Sequence, residues 1–378
     1  MKKMIYLDNA ATTPLDGDVL AEMLPYLKEN YGNSSSQHAL GRKSQHALLC
    51  ARDSVAKILG CKSEEVYFTS GGTECGNWAV KGVCAAHGKG HLIVSAIEHP
   101  ALIESAKDMQ KQGFELTFVQ PDNDGVIQPE EVEKAIRPDT VFCAVMHANN
   151  ETGVIQPVEK IGTLCKERGI FYFCDCVQTA GVLPLPTKFC DGLSVSAHKF
   201  YGPCGSGAMY IREGAKIQRL ISGGRQERAQ RGGTVNVAAA VGLAKAFENS
   251  VKGAEENGKK ISALRDSFVK RVLDEIPDTR INGGGEKLPS HANISFGGCD
   301  GENLLFLLDL EGVAVSTGSA CSAGAVTPSH VLTAMGFSEK QAKSAVRFTF
   351  GKYNTVQEVD TVLKILKQCV NKIRCLKK

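Results

Sequence analysis

A chain of 378 residues, 43% hydrophobic and 22% charged, is long enough for about two to three domains and too apolar to stay disordered. Its 44 basic and 41 acidic residues are interspersed and leave a net charge of +3, which points to neither nucleic acid nor an anionic membrane as a partner. No apolar run reaches the ~20 residues that span a bilayer, and Met1 to Leu7 leaves no room for a signal-peptide core, so the cytoplasm is the expected compartment.

In chain order, Tyr6-Leu7 gives a short strand, followed by turn formers from Asn9 to Pro14, and a helix is expected over about Gly41 to Leu59. Glu65 to Thr69 reads as a strand, broken by Ser70-Gly71-Gly72-Thr73-Glu74 and followed by a helical pattern through Val83. Glycines at such a junction expose backbone N–H groups at the positive end of a helix dipole, which suits a phosphate, and Thr73 adds a hydroxyl. A plain strand-to-helix turn would use the same string. His91 to Ile97 is a buried-strand pattern ended by Glu98-His99-Pro100. His99 is either a surface residue at a strand end or an imidazole that lies on a ring and moves protons near neutral pH. Val141 to Met146 leads into His147-Ala148-Asn149-Asn150, where a neutral amide can donate to a phenolic oxygen or a carboxylate without adding charge.

Two further apolar strands carry the strongest signal. Ile170 to Cys174 delivers Asp175, and Leu193-Ser194-Val195 delivers Ser196, His198 and Lys199. A lysine amine made nucleophilic by its surroundings forms a Schiff base with a carbonyl such as that of pyridoxal phosphate, whose pyridine nitrogen needs a counter-ion. An open α/β sheet builds its crevice from such strand ends. Gly207 to Ile211 returns as a strand, and Gly223 to Thr234 is a Gly/Arg-rich loop, either solvated or an anion site. From Val237 a helical period runs through Val241, Ala244, Phe247 and Val251, resuming at Ile261 after an interruption over Gly253 to Gly258; this long helix would link two domains. Ile281 to Phe350 then supplies a smaller α/β lobe, with strands at His291–Phe296, Val313–Ser316 and Val346–Phe350 and a helix at Gly301–Leu310.

The fourteen cysteines include no C-x-x-C pair, and most lie in apolar runs, so they read as small buried hydrophobes in a reducing compartment rather than as disulfides or metal ligands. Cys321 differs. It sits among the small residues Thr317 to Ala325, with Gly318 and Gly324 as hinges, and is either an exposed reactive thiol or incidental. Arg347 interrupts an apolar strand, where a guanidinium could clamp a carboxylate or face water from an edge.

The segments SAHKFYGP (196–203) and DCVQTAG (175–181), the opening YLDNAATTP and the string STGSACSAGAVTPSHVL resemble motifs of the NifS/IscS-like cysteine desulfurases, within the class V aminotransferase superfamily of fold-type I enzymes. The resemblance runs from the first residues to Arg347. It implies an α/β fold in which a large domain with a mostly parallel seven-stranded sheet is joined to a smaller α/β domain. Residues 1–15 would pack with the small domain, 16–255 form the large cofactor domain, and 256–378 form the small domain carrying the cysteine loop. The implied reaction converts L-cysteine to L-alanine and leaves the sulfur on Cys321 as a persulfide, for iron-sulfur or other sulfur-cofactor synthesis. A selenocysteine lyase or a class V aminotransferase is the alternative.

The same resemblance assigns roles. Lys199 would hold pyridoxal phosphate, His99 would stack on it and handle protons, Asp175 would face the pyridine nitrogen, and Asn150 and Gln178 would meet the phenolic oxygen. Gly72, Thr73, Ser196 and His198 would hold the phosphate, with Thr234 reaching across from the second subunit of a homodimer. Arg347, helped by Asn33 and Asn150, would bind the substrate carboxylate. A sulfur-acceptor protein such as an iron-sulfur scaffold is the implied partner, and no metal is expected. The chain departs from the family pattern at Ser34, Cys75-Gly76, Cys204 and Gly232-Gly233.

Overall fold

The computed structural model describes residues 4–318 and 328–376. Among these residues the strands are β1 (Ile5–Tyr6), β2 (Val66–Thr69), β3 (His91–Ser95), β4 (Glu115–Val119), β5 (Thr140–Ala144) and β6 (Phe171–Asp175). They continue with β7 (Gly192–Ser196), β8 (Gly207–Ile211), β9 (Thr279–Ile281), β10 (His291–Phe296), β11 (Val313–Ala314) and β12 (Ala345–Thr349). Seven of them form one sheet in the order β2-β8-β7-β6-β5-β3-β4, in which β8 alone runs against the other strands. This is the mostly parallel seven-stranded sheet that the resemblance implies.

Its interior strands read as unbroken apolar runs because both faces are covered. Alternation along each strand sends Ile93, Cys143 and Tyr172 into the core on one face, while Leu92, Val94, Phe142 and Phe173 enter the core on the other. Helices Ala39–Leu59 and Val237–Lys252 close the first face, and Gly72–His87 with Pro100–Lys111 closes the second. Trp78, fully buried, anchors that second layer and donates its indole N–H to the carbonyl of Gln218. Within this sheet β4 is the strand that the sequence reading leaves out, as β9 is in the smaller one. β4 lies at the sheet edge, partly exposed, and has no continuous apolar run to announce it.

A second core gathers Leu7, Phe268, Phe296 and Phe348 around the antiparallel sheet β12-β10-β9 and the helices Ala254–Glu275 and Val356–Leu376. The helical interruption expected over six residues is narrower than the sequence suggests: Val237–Lys252 ends and Ala254–Glu275 begins on either side of Gly253 alone. β1 pairs in parallel with β11, and Asp8 bridges to Thr349 of β12, so the start of the chain is stitched into this second layer. β11 stops at Ala314, short of the expected Ser316, because Ser316 turns to bridge Arg347. No helix among the described residues is long and apolar enough to cross a membrane.

Candidate active site

The carboxyl ends of β2, β3, β5, β6 and β7 open on one side of the large sheet, where an open α/β fold leaves a crevice. A cavity of about 300 Å³ there is lined by Gly72, Thr73, His99, Asn150, Asp175, Gln178, Ser196, His198 and Lys199 from the strand ends, and by Gly318 and Arg347 from the second layer. Ten of the residues singled out in the sequence therefore meet in one place.

Lys199 ends a single 3-10 turn after β7. Its amine donates to the carbonyl of Ala10 at 2.6 Å and to that of Ala11 at 2.7 Å, and Gln178 Nε2 donates to the Ala10 carbonyl at 3.0 Å. The opening segment of the chain is thus the seat of the amine. It is held there by Thr13, which donates its N–H and hydroxyl to the carbonyl of His198 and accepts from the N–H of Tyr201. Tyr201 has φ +67°, a costly setting for a bulky residue, and its hydroxyl accepts from the N–H of Lys352 in the second layer.

Asp175 is the last residue of β6. Its Oδ1 accepts from the N–H of Val177 at 2.9 Å and from the hydroxyl of Ser194 at 2.8 Å, which fixes the carboxylate from behind and leaves Oδ2 without a hydrogen bond among the described residues. Beside it, helix Gly72–His87 starts at Gly71 with no side-chain cap, so its first N–H groups stay available. Gly71 has φ +147°, and a Cβ on Gly72 would stand 2.7 Å from Val177 Cγ2, so this corner admits only glycine. The departure at Gly76 has a packing role one turn on, where a Cβ would meet Leu102 Cγ at 3.2 Å.

His99 caps helix Pro100–Lys111: its Nδ1 accepts from the N–H of Ala101, so the neutral ring carries its proton on Nε2. Burial lowers its pKa, opposed by the Asp175 charge and reinforced by Lys199 and His330, which keeps the imidazole neutral at pH 7. Burial and the Lys199 charge likewise lower His198 to about 4, and its Nδ1 pairs with Thr12 Oγ1 at 3.1 Å. Glu98, missed by the sequence reading, is fully buried directly before His99. One carboxyl oxygen accepts from the N–H of Met146 at 2.6 Å and the other has no partner among the described residues, and burial, then the charge of Asp175, raises the pKa to about 8.

On the opposite wall, Arg347 lies in the edge strand β12 yet is buried, which rules out the water-facing reading. Its Nη1 donates to the carbonyl of Asn150 at 2.8 Å, its Nη2 pairs with Asp8 Oδ1 at 2.9 Å, and its buried Nε has no partner among the described residues. Glu151 holds the ground next to it. Its Oε2 accepts from the hydroxyl of Ser329 at 2.5 Å and lies where a Cβ on Gly318 would be. The Gly/Arg-rich loop is tied down rather than left as an open anion site: Arg231 makes two bonds to Glu74, and Arg228 reaches the carbonyl of Val66 across the Tyr67 ring.

Asn33 and Thr234 are exposed and lie outside the cavity. Cys321 is outside the described residues.

Pyridoxal phosphate fits the donors present. An amine stands in the cleft, a carboxylate with one oxygen held from behind faces the same space, and the glycine corner gives a phosphate an uncapped helix start with Ser196 and Thr73 beside it.

The aminotransferase class-V family model matches residues 5–362. The chain is 45% identical to the cysteine desulfurase IscS of Dictyoglomus turgidum, covering 100% of this chain and 97% of that one. It is 44% identical to the cysteine desulfurase IscS of Methanosarcina thermophila, over 98% and 93% of the two chains. Among solved structures it superposes on a NifS-like protein with a TM-score of 0.92 at 38% identity, over 98% of this chain and 100% of that one. It also superposes on SspA in complex with cysteine with a TM-score of 0.82 at 34% identity, over 93% and 99%.

Proposed function

Because this chain belongs to the class V aminotransferase family and is a pyridoxal-phosphate-dependent cysteine desulfurase, we propose that it works through the residues gathered at the strand ends, with Cys321 as the sulfur acceptor. The carrying observation is that Lys199, Asp175 and Arg347, far apart in sequence, line one cavity. Bound there, the coenzyme supplies an electron sink for the bonding pair released when the Cα–H bond breaks.

The chain's own residues do the rest. Arg347, which lines the cavity together with Asn150, receives the substrate carboxylate through its guanidinium N–H groups. Asn33 is assigned to that carboxylate by its motif alone. Lys199 takes the Cα proton; the Ala10 and Ala11 carbonyls keep its Nζ in place. Asp175, with Oδ1 held by Val177 and Ser194, would be the residue that holds the pyridine nitrogen. His99, neutral with its proton on Nε2, is suited to pass a proton at the substrate thiol. The Cys321 thiolate then attacks the substrate sulfur: the new S–S bond forms as the Cβ–S bond breaks, the bonding pair stays with the carbon fragment, and once Cβ has taken a proton and Cα has regained one the product leaves as L-alanine.

A homodimer is part of the proposal, supported by Thr234, which is exposed and does not line the cavity of its own chain. The persulfide passes to an acceptor protein such as an iron-sulfur scaffold. The deciding experiment is Cys321→Ser in the holoenzyme. Alanine formation from L-cysteine is expected to vanish while the coenzyme absorbance stays; normal turnover by this variant would remove Cys321 from the reaction.

A further inference from the structure

The two cations of the cavity are held by one short piece of chain. Asp8 pairs with the Arg347 guanidinium, and the carbonyls of Ala10 and Ala11, two and three residues later, hold the Lys199 amine. Asp8 is itself fixed: it bridges to Thr349 of β12, its carbonyl accepts from the Tyr6 hydroxyl at 3.0 Å, and the N–H of Ala11 turns back to it. Of the three guanidinium nitrogens, Nη2 is bonded to Asp8, Nη1 to the Asn150 carbonyl, and Nε, buried, to none of the described residues. Asp8 and the Asn150 carbonyl each take one N–H of the two terminal nitrogens and so fix the guanidinium at the cavity wall, leaving a second N–H on each for a carboxylate.

From this we infer that Asp8 is a positioning residue for substrate: it fixes the Arg347 guanidinium for the incoming α-carboxylate and, as a neighbouring negative charge, weakens the grip enough for the product amino acid to leave. The inference rests on the reading that Arg347 receives that carboxylate. Two opposed effects follow. Removing the Asp8 side chain frees Arg347 to turn and weakens carboxylate binding. Keeping the acceptor but removing the charge leaves the orientation intact and lowers the repulsion, so binding tightens.

The test uses holoenzyme and two ligands, L-alanine and ethylamine, which differ by the carboxylate alone; binding is read from the absorbance of the bound coenzyme. Asp8→Ala is expected to weaken L-alanine by about tenfold and leave ethylamine unchanged. Asp8→Asn is expected to tighten L-alanine by about threefold, again with no change for ethylamine. A loss of packing at the chain start would disturb the Ala10 and Ala11 carbonyls and shift both ligands alike, so equal shifts overturn the inference. It is overturned as well if Asp8→Asn weakens L-alanine as Asp8→Ala does, or if Asp8→Ala leaves L-alanine unchanged. Arg347→Ala separates the two levels of the argument. Loss of the preference for L-alanine over ethylamine in that variant supports Arg347 as the clamp, and an intact preference removes the clamp and Asp8 together.

Discussion

The two walls of the cavity are built on different plans. On the large-sheet wall each functional side chain sits within a few residues of a strand end, as Asp175 does on β6 and Lys199 after β7, and is held by backbone groups or by a neighbouring strand. On the opposite wall Arg347 lies inside β12 and is held by Asp8, 339 positions away, and by the carbonyl of Asn150, 197 positions away. Asp175 is set once the large sheet forms, whereas the Lys199 amine is seated only when the chain start brings Ala10 and Ala11 beside it. The arginine wall needs the chain start, the second layer and the loop after β5 to be assembled together. The first plan suits groups whose reactivity must be set locally; the second makes recognition of the substrate carboxylate depend on how the two layers meet.

The contrast can be broken or sharpened by substitution. The largest effect is expected on the strand-end wall: Lys199→Ala should slow alanine formation by about 10³-fold, and added methylamine or ethylamine should restore part of it, as measured by alanine release. On the other wall Arg347→Lys should raise the KM for L-cysteine by about tenfold to a hundredfold with a smaller change in kcat, since an ammonium cannot present two parallel donors. If kcat falls instead and KM holds, recognition and chemistry are not divided between the walls. Ser194→Ala removes one of the two donors behind Asp175 and should weaken retention of the coenzyme by about fivefold, read by equilibrium dialysis.

The smallest effect is a pH dependence of stability. Glu98 has its pKa raised by burial and by Asp175 to about 8, so over the range between the ordinary carboxyl value and about 8 the folded chain keeps a proton that the unfolded chain has lost. Stability should fall as the pH climbs through that window and level off above it. Glu98→Gln lacks the titration. Its melting temperature relative to the wild type should rise by at least about 2 °C between about pH 5 and pH 8, and parallel curves would remove Glu98 as the source of the slope.

What could be read from residues alone divides along the same line. Buried strands of the large sheet were legible because both faces are covered, so each is a run of Val, Ile, Phe or Cys, and the polar residue that ends the run is at the crevice. β4 was not, because an edge strand with partly exposed positions has neither a continuous run nor a clean alternation. Glu98 gave no signal of its own: next to His99 it reads as a solvated charge, and only the packing of β3 against β5 encloses it. Asp8 reads as a turn residue until β12 is placed beside it.

By itself the sequence determined the order and type of the main strands, the pairing of Asp175 with Lys199 as a cofactor signal, and the candidate list that meets in the cavity. Those depend on local pattern, in which a strand's period and its terminal residue are set within about ten positions. Tertiary structure alone decided which oxygen of Asp175 is held, that carbonyls of Ala10 and Ala11 seat the amine, and that Arg347 is buried against Asp8. The Asp175 contacts lie within the large sheet, whereas the others join segments distant along the chain and exist only once the chain start and the second layer have closed on that sheet.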